Sequence, residues 1–391
     1  MNKEKKIIYA LLTFAVIASI AVYVFFDVRN PFAIQDDNTQ VAENESNEEL
    51  EPETSLPNTN MAEVIREAQE ESEMPDDGEE NTENNVQLPA DEAEKKQEDD
   101  TEATKDPYQI LPAYEPVERN SNELTIGFIT DLHTISSLSK DNVTIKLRDS
   151  FTNRINYFVE KMNNETVPDF MLINGDIAEG TKDRTALVIK KMQLIKKLFD
   201  RTAIQKYWVP GNHDLRAITK KQWKDVLRIN YLKKSFDLKD YKIIILDSNF
   251  NADDTDAAPG NGYTRGKVSE EEIKWLKKEL KDTDKKTIVF IHHPPFWDVD
   301  FRPNDGLIEN AQELRSIFSE YGVLAVFGGH LEKLYHEKVD GVNYFVLPGI
   351  YKNPKYLGAF GIINIKDDEV KVELNYLENG STYTTINVKN D

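Results

Sequence analysis

Five short groups of carboxylate, amide and imidazole residues recur along the chain, each directly after an apolar run. In order they are Asp131-Leu132-His133, Gly175-Asp176, Gly211-Asn212-His213-Asp214, His292-His293 and Gly329-His330-Leu331-Glu332. Such oxygen and nitrogen donors are typical ligands of divalent transition metals. One group alone is a weak signal, because an Asp after a strand also serves as a helix N-cap. Five groups in succession predict a single metal site.

The apolar runs before these groups predict the elements that position them. The runs cover residues 124–129, 170–173, 207–209, 288–291 and 323–327. Continuous apolar runs of this length are typical of strands buried on both faces. Because the carboxyl ends of strands in an α/β sheet meet at one crevice, residues far apart in sequence converge there.

The segments between these strands predict helices, and the end of the chain predicts antiparallel strands. Apolar residues fall on one helical face in residues 147–162 and again in 188–199. Ser269 and Glu272 predict a capping box at the start of a third helix. Alternating apolar residues follow Glu332, with Asp340-Gly341 as a hairpin turn. The domain is therefore expected to begin as βαβ and to finish antiparallel.

The five groups resemble, in order, the signature of the calcineurin-like metallophosphoesterase superfamily: D-x-H, G-D, G-N-H-D/E, H and G-H-x-H. The resemblance covers residues 123–366. Residues 266–296 look most similar to the branch of class III cyclic-nucleotide phosphodiesterases and purple acid phosphatases. The resemblance implies a four-layer α/β/β/α sandwich and hydrolysis of phosphate esters.

The resemblance also implies two divalent ions, Mn, Fe or Zn, that share Asp176 and hold the hydroxide that attacks phosphorus. The implied ligands are Asp131, His133 and Asp176 for the first ion, and Asp176, Asn212, His292 and His330 for the second. His213 would stabilise or protonate the leaving oxygen, oriented by Asp214. Where the family has a last histidine, this chain has Glu332. We expect Glu332 to ligate the first ion; the alternative is that it turns away.

The loops between the groups are the expected place of substrate recognition. Tyr263 and Arg265 in residues 249–267, and Arg302 in residues 296–305, are candidate phosphate-binding residues. His293 and His336 are expected to be structural or pocket-wall residues. Phosphodiesters are preferred over phosphomonoesters as substrates, and the sequence has no specific nucleic-acid-binding signal. The alternative function is a degenerate module that binds a phosphorylated ligand or a partner at the cell surface.

The amino-terminal third differs from the rest of the chain. Three lysines precede an uncharged stretch at residues 7–26, and its 20 residues would span roughly 30 Å as a helix. Residues 1–26 therefore predict a transmembrane signal anchor, with a cleaved signal peptide as the alternative. Residues 27–120 carry 29 acidic against 6 basic residues and predict a disordered linker. Residues 121–391 form the expected catalytic domain.

The predicted location follows from the anchor and from the composition. Lysines on the amino side of the anchor predict a single-pass protein of the cytoplasmic membrane, with its catalytic domain outside the cytoplasm. The Lys-, Asn- and Ile-rich usage resembles that of Gram-positive bacteria of low GC content. The chain contains no cysteine, which excludes disulfides, thiolate nucleophiles and zinc-thiolate sites.

Overall fold

A computed structural model describes residues 63–64, 66–67, 106–119, 122–138, 145–260, 265–296, 307–350, 358–377 and 380–389. The predicted anchor, residues 1–26, and most of the predicted linker lie outside the described residues. Within the described ranges, no helix is long and apolar enough to cross a membrane.

Two six-stranded sheets form the centre of the fold. The strands are β1 Glu123–Ile129, β2 Ser136–Leu138, β3 Ile145–Leu147, β4 Phe170–Asn174, β5 Lys206–Val209, β6 Lys234–Leu238, β7 Tyr241–Ile245, β8 Lys286–Phe290, β9 Ala325–Gly328, β10 Tyr335–Val339, β11 Val342–Val346, β12 Ala359–Lys366, β13 Glu369–Tyr376 and β14 Thr382–Lys389. The first sheet has the order β14-β13-β12-β1-β4-β5 and the second β10-β11-β9-β8-β7-β6, while β2 and β3 form a separate hairpin. β1, β4 and β5 are parallel, as are β7, β8, β9 and β11.

Helices cover the outer faces of both sheets. They are α1 Asp149–Lys161, α2 Thr185–Phe199, α3 Asn212–Leu215, α4 Lys220–Leu227, α5 Glu270–Lys281 and α6 Ala311–Glu320, with a π-helical turn at Met162–Thr166 and a 3₁₀ turn at Lys182–Arg184. One apolar cluster joins α1, α2 and α4 to the first sheet, a second fills the space between the sheets, and a third joins α5 and α6 to the second sheet. The order of layers is therefore α/β/β/α.

Two local predictions are tested directly by the described residues. At the turn between β10 and β11, Asp340 and Gly341 have φ values of 50° and 84°, which confirms the predicted hairpin. At α5, Ser269 Oγ accepts the N–H of Glu272 at 3.3 Å. The carboxyl of Glu272 does not return to the cap; it is buried 3.7 Å from Lys233 Nζ. Only one of the two bonds of the predicted capping box is present.

The carboxyl end of the predicted linker contacts the catalytic domain. Leu111 N–H donates to Arg201 O at 2.8 Å, and Arg201 Nε donates to Gln109 O at 2.8 Å. Arg119 Nη1 donates to Val167 O at 2.8 Å. The linker boundary at residue 120 stays a prediction, but residues 106–119 are held by the domain rather than separate from it.

A second part of the predicted linker also contacts the domain. Residues 63–64 and 66–67 are helical, and Val64 is fully buried in the cluster beneath α2. Glu67 Oε2 accepts the N–H of Leu187 at 2.7 Å, in the first turn of α2. A carboxylate at this position satisfies one of the unpaired N–H groups of the helix start.

Candidate metal and catalytic site

The predicted site residues converge from both sheets. Asp131 and His133 follow β1, Asp176 follows β4, and Asn212 follows β5. His292 follows β8 and His330 follows β9. His330 N–H lies 3.0 Å from both carboxylate oxygens of Asp131, so a residue after β9 is bonded to one after β1. The site therefore lies where the carboxyl ends of the two sheets meet.

Five of these residues have left-handed backbone conformations. The φ values are 50° for Asp131, 40° for His133, 48° for Asp176, 67° for His330 and 49° for Glu332. Non-glycine residues seldom adopt this conformation, and its cost is tolerated chiefly at functional sites. The sharp turns point side chains from the strand ends into one space.

Asp176 lies at the centre of the group. His292 Nε2 is 3.2 Å from Asp176 Oδ2 and 3.2 Å from Asn212 Oδ1. His133 Nε2 is 3.7 Å from Asp176 Oδ2. Gly211 permits this packing, because a Cβ at that position would overlap the backbone and carboxylate of Asp176. Sharing of Asp176 between two ligand sets stays a prediction, which this arrangement permits.

The donor set fits two divalent ions. Ligand atoms lie within 4.8 Å of one another in Asp131, Asp176 and His292, and likewise in Asp131, His133 and Glu332. His133 Nε2 is buried and makes no well-formed hydrogen bond among the described residues, although carboxylate oxygens of Glu332, Asp176 and Asp131 lie 3.3, 3.7 and 3.9 Å away. A buried imidazole nitrogen without a hydrogen-bond partner is costly unless a metal ion binds it. A backbone carbonyl orients the ring of His292, a residue of the second predicted ligand set. His292 Nδ1 lies 2.8 Å from Asn174 O, which leaves Nε2 to face Asp176.

The protonation tendencies of these residues reflect close packing of opposite charges. Burial raises the pKa of Asp131 to about 7, against the opposing effect of His292. Burial lowers the pKa of His292, but Asp176 overrides it and raises that pKa to about 9. Burial also opposes ionisation of Asp176, yet His292 and His213 hold its pKa well below the usual range. These carboxylates favour any cation placed between them.

Glu332 faces the first predicted ligand set. Its Oε1 lies 3.3 Å from His133 Nε2, and its side chain is 35% exposed. This geometry places a carboxylate where the family signature has histidine. Ligation by Glu332 stays a prediction that the geometry permits.

His213 is held by a residue that the sequence analysis did not single out. Glu179 Oε2 lies 2.8 Å from His213 Nδ1 and 3.0 Å from His133 Nδ1. Burial raises the pKa of Glu179, but hydrogen bonds from His133 and His213 outweigh burial and hold that pKa far below its usual range. Arg216 Nη1 is 3.3 Å from His213 Nδ1 and brings a cation to the same place. Glu179 therefore positions both the predicted acid and a predicted ligand.

Asp214 does not have the orienting role predicted for it. Its Oδ1 accepts the N–H groups of Ile177 at 2.8 Å and Ala178 at 3.2 Å. Its Oδ2 accepts Gly211 N–H at 3.1 Å and Trp223 Nε1–H at 3.3 Å. With both oxygens engaged in this way, Asp214 ties the Asp176 loop to the start of α3. Burial raises its pKa to about 6.

The predicted substrate residues are only partly described. Arg265 is exposed beside Gly266, and its phosphate-binding role stays a prediction. Tyr263 and Arg302 lie outside the described residues. His336 is half-buried, with Nε2 3.3 Å from Asn343 Oδ1 and its ring stacked on Phe345 at 4.4 Å. This environment agrees with its predicted structural role.

Comparisons with known proteins bear on the family of the chain. A sequence profile described as calcineurin-like phosphoesterase matches residues 124–332. A 3',5'-cyclic-nucleotide phosphodiesterase from Nostoc sp. is 26% identical over 230 residues, which are 58% of this chain and 77% of that protein. A glycerophosphodiester phosphodiesterase from Enterobacter lignolyticus is 23% identical over 177 residues, 43% of this chain and 57% of that protein.

A solved structure supports the fold. A dimetal phosphatase from Danio rerio superposes with a TM-score of 0.55 at 14% identity, covering 68% of this chain and 99% of that one. At this identity the similarity concerns the fold alone. The profile match confirms the resemblance drawn from the five residue groups, and the superposition confirms the fold.

Proposed function

Because the chain belongs to the calcineurin-like phosphoesterase family, whose related proteins are metal-dependent phosphoester hydrolases, we propose that it hydrolyses phosphodiesters in preference to phosphomonoesters. The observation that carries the proposal is the pairing of His213 with Glu179 beside the ligand group centred on Asp176. A site that only bound phosphate would need the cations but not a positioned acid.

The residues of the chain divide into ligands and acid. Asp131, His133 and Asp176, with Glu332, would hold one divalent ion; Asp176, Asn212, His292 and His330 would hold the other. When bound, two such ions supply an activated water nucleophile and neutralise charge on the phosphoryl oxygens. His213 would then donate a proton to the leaving oxygen, and the Glu179 carboxylate, 2.8 Å from His213 Nδ1, would orient its ring.

Two observations support the preference for diesters. The relatives from Nostoc and Enterobacter are both named phosphodiesterases. Glu332 replaces a neutral ligand by an anion 3.3 Å from His133 Nε2. A more negative site repels a phosphomonoester dianion more strongly than a phosphodiester monoanion.

Hydrolysis of model esters by the purified full-length chain tests the function. Bis-(p-nitrophenyl) phosphate and p-nitrophenyl phosphate are compared with manganese, iron(II) or zinc, and Asp176→Asn serves as the inactive control. We expect faster turnover of the diester, abolished by Asp176→Asn. Absence of turnover with all three metals favours the alternative, a module that only binds a phosphorylated ligand.

We further propose that residues 1–26 anchor the protein in the cytoplasmic membrane with the catalytic domain outside. The absence of cysteine allows a labelling test with single introduced cysteines. Thr385→Cys, at an exposed position of β14, should react with a membrane-impermeant maleimide on intact cells. Lys3→Cys should react only after lysis. Equal labelling of both before lysis contradicts the topology.

A further inference from the structure

The carboxyl end of β7 carries buried polar residues that the proposed mechanism does not use. β7 lies beside β8 in the second sheet and is parallel to it, so its end reaches the same edge as the predicted ligand His292. Asp247, Ser248 and Asn249 follow this strand, and all three are fully buried. None of the three is a predicted ligand or acid. Buried polar side chains at such an edge call for a physical explanation.

Asn249 holds the backbone just before the turn that carries Asn212 and His213. Its Nδ2 donates to Pro210 O at 2.7 Å and to Asp247 Oδ1 at 3.1 Å, which uses both N–H bonds of the amide. Because a carbonyl oxygen only accepts hydrogen bonds, the amide nitrogen, and not the amide oxygen, must face Pro210. Asp247 Oδ1 also accepts the backbone N–H of Asn249 at 2.8 Å, which fixes the direction of the side chain.

The oxygen of the same amide is unpaired. Asn249 Oδ1 is buried and has no hydrogen-bond partner among the residues that the structure describes. Leaving such a group unpaired costs about 1 to 3 kcal/mol. Stabilisation of the fold alone therefore gives a poor account of this side chain, whereas control of the Pro210 carbonyl accounts for the nitrogen.

Asp247 and Lys220 hold the other side of the turn. Asp247 Oδ2 lies 2.7 Å from Lys220 Nζ, and the lysine side chain is only 5% exposed. Lys220 begins α4, which follows the turn, whereas Pro210 precedes it. The end of β7 therefore contacts both flanks of residues 211–219, through Asn249 on one side and through Asp247 on the other. Separation of a buried ion pair leaves an uncompensated charge, so this contact resists displacement.

The same strand end is the base of the predicted recognition loop, residues 249–267. Ala257 N–H donates to Asn249 O at 3.0 Å, and Lys267 N–H donates to Ser248 O at 2.9 Å. Asp256 Oδ1, within the loop, lies 2.7 Å from Lys220 Nζ. The loop is therefore tied to the residues that hold the turn.

We propose that Asn249, oriented by Asp247, is a positioning residue: it sets the backbone of the turn that presents Asn212 to the second metal and His213 to the leaving group. The inference rests on the site of the proposed function. Misplacement of a reacting group by about 1 Å can lower a rate by roughly 100-fold. Loss of the bond to Pro210 should therefore affect both roles of the turn.

Metal binding and turnover by the purified full-length chain test the inference. Asn249→Ala removes the amide, and Asn249→Ser is a milder variant that keeps a short hydroxyl donor. Asn343→Ala is the matched control. Asn343 is also fully buried and donates to a backbone carbonyl, Leu324 O at 3.2 Å, but it lies at the amino ends of β9 and β11, opposite the site.

Three quantities are measured for each variant. They are the Tm, the zinc affinity of the second site in competition with a chromophoric chelator, and kcat/KM for two diesters. Bis-(p-nitrophenyl) phosphate releases nitrophenolate without a proton, whereas the alkoxide of glycerophosphoethanolamine needs one. The ratio of the two rates therefore reports on the acid, and the zinc affinity reports on Asn212.

We expect Asn249→Ala to weaken zinc binding at the second site by about 10- to 100-fold and to lower kcat/KM roughly tenfold more for glycerophosphoethanolamine than for bis-(p-nitrophenyl) phosphate. Asn249→Ser should change both quantities in the same direction but less. Asn343→Ala should lower the Tm and leave the zinc affinity and the ratio of rates at their wild-type values.

A lower Tm in Asn249→Ala with wild-type zinc affinity and a wild-type ratio of rates overturns the inference, because Asn249 would then be structural only. If Asn249→Ala does not fold, Asn249→Ser decides by the same criteria. If the wild-type chain hydrolyses neither diester, the proposed function fails, and the zinc affinities still decide the inference.

Discussion

Replacement of Glu179 by Gln should reveal how much His213 depends on a charged partner. Glu179 Oε2 lies 2.8 Å from His213 Nδ1, and the side chain is 37% exposed. A hydrogen bond to a charged group contributes about 1.5 to 3 kcal/mol, and partial exposure places this one at the lower end. A loss of about 1.5 kcal/mol corresponds to roughly a tenfold lower rate for a step that needs protonated His213.

The assay compares two leaving groups. Nitrophenolate leaves bis-(p-nitrophenyl) phosphate without a proton, whereas the alkoxide of glycerophosphoethanolamine needs one. In Glu179→Gln, kcat/KM should fall for both substrates because His133 also loses its partner, and roughly tenfold further for glycerophosphoethanolamine. Equal losses for the two substrates refute the role assigned to the pair. The control is Glu160→Gln, which removes a carboxylate of α1 that lies 2.7 Å from Arg201. This variant should leave the ratio of the two rates unchanged.

Three further predictions concern carboxyl groups with different partners. Asp214→Asn should lower the free energy of unfolding by about 2 to 4 kcal/mol in urea denaturation, because an amide nitrogen would face N–H donors such as Trp223 Nε1–H; an unchanged midpoint refutes this. Burial, with Asp247 nearby, raises the pKa of Glu272 to about 8, so folding favours its protonated form. The contribution of Glu272 to the free energy of unfolding is therefore fully present below its unfolded pKa near 4.5, and it is lost as pH rises toward 8. The Tm of Glu272→Gln relative to wild type should therefore increase between pH 5 and 8, and a constant difference contradicts the assignment. Glu332→Gln should weaken manganese binding at the first site in calorimetric titration, whereas unchanged affinity shows that Glu332 turns away.

The sequence identified most of the fold because its strands are apolar on both faces. All five predicted runs lie in or directly beside β1, β4, β5, β8 and β9. One strand that the apolar runs did not reveal, β6, is less uniform: it is only partly buried and reads Lys-Ser-Phe-Asp-Leu. Such edge strands carry little periodic signal, because one side faces solvent.

The convergence of the residues predicted as metal ligands was foreseeable because each follows a recognisable strand, but the residues that support them were not foreseen. Glu179 lies in a loop after Gly175-Asp176, where no periodic pattern marks a functional side chain. The misassignment of Asp214 has a physical reason: its carboxylate is adjacent to His213 in sequence, yet the turn into α3 directs it to backbone N–H groups. Sequence proximity does not give side-chain direction.

The antiparallel pairing of β1 with β12 has a consequence for synthesis of the chain. Glu123 is paired with Lys366, so the strand that leads to Asp131 and His133 receives one of its two neighbours only after more than two hundred further residues have been added. A nascent chain that ends before Ala359 holds every predicted metal ligand but leaves one edge of β1 unpaired. Contacts so distant in sequence form slowly, and exposed strand edges promote aggregation. The strand that covers this edge of β1 therefore follows every predicted ligand in the sequence.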